Sequence, residues 1–140
     1  MRAVTLLLLI SPCYGLWGVG RQQAVGAKGK LFCNKKPVEG IQVVIQENEI
    51  MFNRMMSLGL TDETGAFMLS GTAKEISQID PQLNILHRCN YEGPCWMKKR
   101  IKIPSKYVVA GTNATKYFDV HDLELSKKER HDSYACSLLD

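Results

Sequence analysis

The sequence predicts an all-β protein, a sandwich of two antiparallel sheets with about seven strands. Three observations carry that prediction. Short apolar runs alternate with polar residues at a period of two. Turn-forming residues separate one run from the next. No stretch shows the apolar period of a long amphipathic helix.

The elements follow in order. "VGAKGKLFC" (Val25–Cys33) puts Ala27, Gly29, Leu31 and Cys33 on one face and Lys28 and Lys30 on the other. "NKKPVEG" reads as a turn. "IQVVIQE" (Ile41–Glu47) turns Ile41, Val43 and Ile45 inward. "NEIMFNRMMS" (Asn48–Ser57) is the least regular stretch, a strand edge or a covering loop. In "LGLTDETGAFML" Asp62 can accept from its own downstream backbone and Gly65 can take a positive φ, which predicts a hairpin with Phe67 returning to the core. "TAKEISQIDP" (Thr72–Pro81) is polar and loop-like. "QLNILHRC" (Gln82–Cys89) is a strand with Leu83, Ile85 and His87 on one face. After the Gly-Pro turn of "CNYEGPC", "WMKKRIKIP" (Trp96–Pro104) sends Lys99, Ile101 and Ile103 one way and Lys98, Arg100 and Lys102 the other. "SKYVVAGTNATK" connects to the last long strand, "YFDVHDLELS" (Tyr117–Ser126). Its apolar phase changes between Val120 and Leu123, which a bulge near His121 and Asp122 would repair. The charged tail reads as irregular up to Cys136.

The N-terminus reads as an address. "MRAVTLLLLISPCYG" has an early Arg2, an apolar run to Ile10, then Pro12, with small Cys13 and Gly15 at the −3 and −1 positions of a cleavage site. The run is too short to span a bilayer, which takes about 20 residues. The expected organisation is a signal peptide over 1–15, a short segment over 16–24, one sandwich domain over 25–136 and a tail over 137–140. Losing Arg2 takes the formal net charge from +4 to about +3. That is too mild to suggest nucleic acid as a partner.

Five cysteines are present, and Cys13 leaves with the signal. The remaining four, Cys33, Cys89, Cys95 and Cys136, are an even set in a short secreted chain and read as disulfides. Zinc would want closer pairs than Cys89-x5-Cys95. Four cysteines allow three connectivities. Cys89 and Cys95 flank a turn between adjacent strands, so the expected pairs are Cys89–Cys95 and, by elimination, Cys33–Cys136.

The chain resembles the nematode transthyretin-like family of secreted proteins. The matching pieces are "GAKGKLFCNKKPVEGIQVVI", "TDETGAFMLSG", "IDPQLNILHRCNYEGPC", "KKRIKIPSKYVVAG", "YFDVHDLEL" and the late Cys136. They run from about Gly26 to Cys136. The resemblance implies a prealbumin-like sandwich and extracellular residence, without implying hormone transport. The enzymatic relatives of transthyretin hydrolyse 5-hydroxyisourate and end in Tyr-Arg-Gly-Ser. This chain ends "HDSYACSLLD", so an enzyme is not expected. His87 reads as structural, and His121 and His131 show no ligand spacing. The acidic residues Asp62, Glu63, Asp119, Asp122 and Asp132 form no calcium-type loop, so no metal or cofactor is expected.

Two surfaces remain as candidates. Lys98, Arg100 and Lys102, with Lys99 among them, form a basic strand suited to lipid head groups, sulfated glycans or an acidic receptor. Met51, Phe52, Met55 and Met56 form an adaptable apolar cluster suited to a small apolar ligand. The expected function is a secreted, non-enzymatic binding protein for an extracellular receptor or an anionic surface. A carrier of a small apolar ligand is the alternative, and a hydrolase the weaker one. Asn113-Ala114-Thr115 is a glycosylation sequon in a polar loop. The secreted form is expected to begin near Leu16 and to lose mass on glycosidase treatment. N-terminal sequencing and intact mass check both; recovery of Met1 would remove the signal.

Overall fold

The alternating residues of Arg21–Cys33 make the longest strand, β1. The computed structural model describes residues 20–48 and 53–138. β1 hydrogen-bonds along both edges. On one it meets β2 (Lys36–Pro37) and β5 (Ala66–Glu75), both antiparallel. On the other it meets β8 (Val109–Ala110), antiparallel, and β9 (Tyr117–Glu124), which runs parallel to it. The second sheet is antiparallel throughout. Its spatial order is β10 (Ser133–Ala135), β7 (Trp96–Lys102), β6 (Pro81–His87), β3 (Gln42–Asn48) and β4 (Asn53–Leu60). Seven of the described strands have seven residues or more. They include the strands the periodicity predicts, but β5 continues through Thr72–Glu75, expected as loop, and β4 takes in Asn53–Ser57 of the least regular stretch; the other strands have two or three residues.

The sheets close on one core. Val25, Ala27 and Leu31 of β1, Phe67, Leu69 and Ala73 of β5, and Leu125 after β9 face Val43 and Ile45 of β3, Leu83 and Ile85 of β6, and Ile103 after β7. Burying each large member contributes about 1.5–3 kcal/mol. The predicted parity of β1, β3, β6 and β7 is the observed one. β1 begins at Arg21, four residues before the expected boundary at Val25, and Gln23 and Ala24 are already buried. The signal segment, Met51 and Phe52 lie outside the described residues.

The Asp62 turn is built as expected, but it is not a hairpin. Asp62 Oδ1 accepts the Thr64 N–H at 2.8 Å, the Thr64 hydroxyl at 2.6 Å and the Ala66 N–H at 3.0 Å. The Thr64 hydroxyl first, then those two N–H groups, hold the Asp62 carboxyl below its usual range. Gly65 has φ +81°, and a Cβ there would sit 2.5 Å from the Leu31 carbonyl oxygen. The strands it joins belong to different sheets, since β4 pairs with β3 and β5 with β1. The turn therefore carries the chain across the sandwich. Phe67 still returns to the core, because crossing the sandwich preserves its inward parity.

The phase change in the last long strand is a bulge. Lys28 pairs with Asp119 and Lys30 with Asp122, so an extra residue stands opposite Gly29. His121 takes the strain with φ +56°. Phe118, Val120, Leu123 and Leu125 all then pack on the core. The tail is less irregular than expected, because Ser133–Ala135 adds to the edge of β7.

The disulfide expectation is overturned. The bonds are Cys33–Cys89 and Cys95–Cys136. Cys33 continues the inward parity of Leu31, and Cys89 that of Ile85 and His87. Their Cα atoms are 5.7 Å apart, so the first bridge joins the two sheets. Cys95 precedes β7 and Cys136 follows β10, whose Ala135 pairs with Trp96; the second bridge closes that edge pair. Non-reducing peptide mapping is expected to recover these two pairs. The double variant Cys33→Ser, Cys89→Ser is expected to lose about 2–4 kcal/mol in denaturant unfolding.

Candidate functional site

Both disulfides lie at one end of the sandwich, and the chemically dense groups gather there. Asn34 and Lys35 carry β1 into β2 with φ +53° and +69°, conformations unfavourable for residues with a side chain. Glu124, at the end of β9, holds that turn. Its Oε2 accepts the Asn34 N–H at 2.9 Å and its Oε1 the Lys35 N–H at 2.7 Å. Oε2 also accepts from the Ser126 N–H and hydroxyl at 3.1 and 2.8 Å. The Ser126 backbone and hydroxyl bonds first, then the Lys35 and Asn34 N–H groups, lower the Glu124 pKa from 4.5 to about 2. The Asn34 and Asn90 side chains bond to each other, tying the turn to the β6–β7 loop. The Arg88 guanidinium donates to the carbonyls of Cys95 and Gly93 in that loop.

Beneath this end lies a buried ammonium. Lys99 faces inward from β7, and its side chain is 2 % exposed. Its Nζ reaches Asp132 Oδ1 and Oδ2 at 3.3 Å and the Lys127 carbonyl at 3.4 Å. Glu129 Oε1 lies 3.7 Å away. Asp132 in turn accepts the Glu129 N–H. The tail thus wraps the ammonium, and this pairing offsets the cost of removing a charge from water.

His87 stands beside Lys99 on the same inner face, where Ile85 pairs with Lys99 and His87 with Met97. The residue is 3 % exposed. Burial first, then the Lys99 charge, holds it below the usual imidazole range, against an opposing pull from Asp132. The Cys89 N–H donates to His87 Nδ1 at 3.1 Å. His87, Met97, Leu125, Asp132, Tyr91 and Tyr134 line a cavity of about 220 Å³, with Ser126 and Lys128 also in its wall.

The sequence-predicted sites fare unevenly. Arg100 and Lys102 are exposed on the outer face as expected, and Lys102 Nζ lies 3.8 Å from Asp80. Lys98 is on that face but buried, at 5 % exposure. It shares that burial with its outward-facing neighbours Leu86, Asn84 and Val44 on β6 and β3, so this part of the outer face is enclosed. With Lys99 inward, the open basic row shortens to two residues. Met56 packs against the core and Met55 points out of the edge strand, 41 % exposed. Asn113 is exposed in the loop after β8. His121 and His131 are exposed, and neither shares a hydrogen bond with His87. Among the described residues no group of three or more His, Cys, Asp or Glu could hold a metal ion. No helix among them is long and apolar enough to cross a membrane.

The Glu124 clamp and the Lys99–Asp132 pair have no sequence motif. Their one legible signal is the inward parity of Lys99, a charge among Ile101 and Ile103.

Comparison with known proteins gives one consistent result. Residues 28–104 match the model of the transthyretin-like family. Transthyretin-like protein 5 of Caenorhabditis elegans is 37 % identical, over 90 % of this chain and 91 % of its own. Transthyretin-like protein 2 of the same nematode is 33 % identical over 96 % of both chains. Transthyretin-like protein 1 is 34 % identical over 91 % of this chain and 87 % of its own. A solved 9R-lipoxygenase from Cyanothece overlaps 74 % of this chain and 16 % of its own at a TM-score of 0.40 and 15 % identity, too distant to bear on fold or function.

Glu124→Gln keeps the shape of the clamp and removes its charge. A carboxyl depressed on folding adds stability that is complete above the unfolded pKa, here about 4.5, and is lost as pH falls toward the folded value of about 2. The variant is expected to melt at a lower temperature at pH 7. Between pH 4.5 and 2 its Tm is expected to change less steeply than the parent's. Thermal melts by circular dichroism across that range check both.

Proposed function

The chain belongs to the transthyretin-like family, and on that footing we propose a secreted, non-enzymatic binding protein. The disulfide-stapled end of its sandwich meets an acidic extracellular partner, either a receptor or an anionic surface of lipid head groups or glycans. One observation carries this reading. Lys35, Lys36, Arg88, Lys127, Lys128 and Arg130 are all exposed on segments that converge at that end. The exposed acids on the loops at that end, Glu39, Asp62, Glu63, Glu92 and Glu129, are one fewer.

Rigidity supports the same reading. The β1–β2 turn, the β6–β7 loop and the tail are cross-linked to one another by both disulfides, the Glu124 clamp and the Asn34–Asn90 bonds. A cationic surface fixed in this way loses little entropy when it meets a partner. Each basic residue near an anionic surface is worth about 1 kcal/mol, so several together give binding that salt weakens. Arg100 and Lys102, along the side of the sandwich, are an auxiliary contact in this arrangement. Non-enzymatic action fits the placement of the histidines, of which His87 is enclosed and the other two stand apart from it in solvent.

The test compares two variants of the disulfide-intact mature protein on heparin and on phosphatidylserine-containing vesicles. Lys36→Gln, Lys127→Gln, Arg130→Gln together are expected to weaken binding and flatten its salt dependence, with folding kept, since exposed substitutions cost within about 0.5 kcal/mol. Arg100→Gln, Lys102→Gln are expected to have a smaller effect. Parent protein that fails to bind at low salt, or an end variant that binds as well as the parent, would sink the proposal.

A further inference from the structure

His87 holds a hydrogen-bond donor that the fold does not use. The Cys89 N–H donates to Nδ1, so Nδ1 carries the lone pair and the neutral ring has its proton on Nε2. Burial and the neighbouring Lys99 charge favour that neutral ring. Nε2 is buried and finds no acceptor among the described residues. A buried donor left unpaired costs about 1–3 kcal/mol, so the position calls for an oxygen atom.

The cavity that His87 lines offers what such an oxygen would come with. Lys128 stands in its wall with its ammonium 5.8 Å from the centre of the Tyr134 ring. Tyr91 and Tyr134 face each other at 5.5 Å. Met97 and Leu125 supply apolar wall. Asp132 is neutralised by Lys99, and the Ser126 hydroxyl is spent on Glu124. What remains unspent is one N–H donor, one ammonium and an apolar or aromatic lining. A volume of about 220 Å³ excludes a large lipophile and suits a body of one ring or a short chain.

We infer that this end cavity is a binding site for a small carboxylate with an apolar body, its carboxylate held by Lys128 Nζ and, once the side chains enclosing it shift, by His87 Nε2–H, and its body by Tyr91, Tyr134, Met97 and Leu125. The site is distinct from the surface contact proposed above and stands or falls separately. It differs also from a carrier site between the sheets, since it lies at the end of the sandwich.

Phenylacetate serves as the probe, added to the disulfide-intact mature protein and followed by two-dimensional proton–nitrogen NMR of the histidine rings and by calorimetry. Saturable binding in the millimolar range is expected, as for other fragments of this size. The largest nitrogen shift should fall on His87 Nε2, with His121 and His131 unmoved. Lys128→Gln, an exposed change that leaves the fold intact, is expected to weaken binding about two- to fivefold. His87→Phe, which fills the space without the donor, is expected to weaken it about tenfold. Should His87→Phe fail to fold, the Lys128 variant and the parent's His87 shift still decide the matter. 2-Phenylethanol, with the same ring and no carboxylate, should bind more weakly than phenylacetate. No saturable binding, a parent shift that spares His87, or equal affinity for the alcohol and the acid would each overturn the site.

Discussion

Gly29 of β1 governs the far edge of the first sheet. A Cβ at that position would lie 2.3 Å from Val120 Cγ2, so a residue without one leaves room for the Val120 side chain of β9 against β1. The close approach seats the bulge. The bulge puts His121 at positive φ and shifts the strand's phase by one residue. Without the shift, Leu123 and Leu125 would point at solvent, since a one-residue slip sends every later side chain to the opposite face. With it, both reach the core, and Glu124 between them is delivered to the Asn34–Lys35 turn. Ser126 then leads the chain over the end of the sandwich to Asp132.

That route explains how a lysine can sit inside. A buried ammonium without partners is among the costliest features a small core can hold. Here the partners come from the tail, more than 25 residues downstream of Lys99 in sequence. Asp132 gives both carboxylate oxygens, and Lys127 gives a backbone carbonyl. The second disulfide fixes the tail beyond Asp132 to the start of β7, so these groups are held in place rather than recruited. Geometry of this kind decides whether a buried pair stabilises or merely survives. The same charge adds to burial in holding the pKa of the neighbouring His87 below the usual imidazole range.

What could be read from the residues, and what could not, divides along one line. Alternation reports which side chains share a face, so most of the long strands, their inward faces and the bulge were legible in the sequence, while Asn53–Ser57 of β4 and Thr72–Glu75 of β5, which lack it, were not. The Asp62 turn was legible as a turn because its bonds are local, within four residues. Its role as a crossing between sheets was not, because that depends on which strand each neighbour pairs with. The disulfides failed on the same ground. Proximity in sequence suggested Cys89 with Cys95, yet Cys33 and Cys89 each continue an inward-facing series, and two inward residues at the same end of facing sheets can meet. Parity was the better guide, and it was available. Lys98 shows the opposite case: its outward parity was correct, but the outward row it shares with Leu86, Asn84 and Val44 is buried, and alternation alone cannot report burial on both faces of a sheet.

The consequence for function lies in where the long-range interactions concentrate. A sandwich has two open ends, and its loops are normally the most mobile part of the molecule. This chain places both disulfides, the Glu124 clamp and the Lys99–Asp132 pair at a single end. Core packing alone does not require that asymmetry, because the hydrophobic cluster runs through both sheets. Rigid loops lower the entropy lost on binding. The stapled end also carries exposed cations on each of its cross-linked segments and the cavity lined by His87. A rigid, charged and concave end of a β-sandwich is what the proposed recognition requires, and the strands behind it are the frame that holds it.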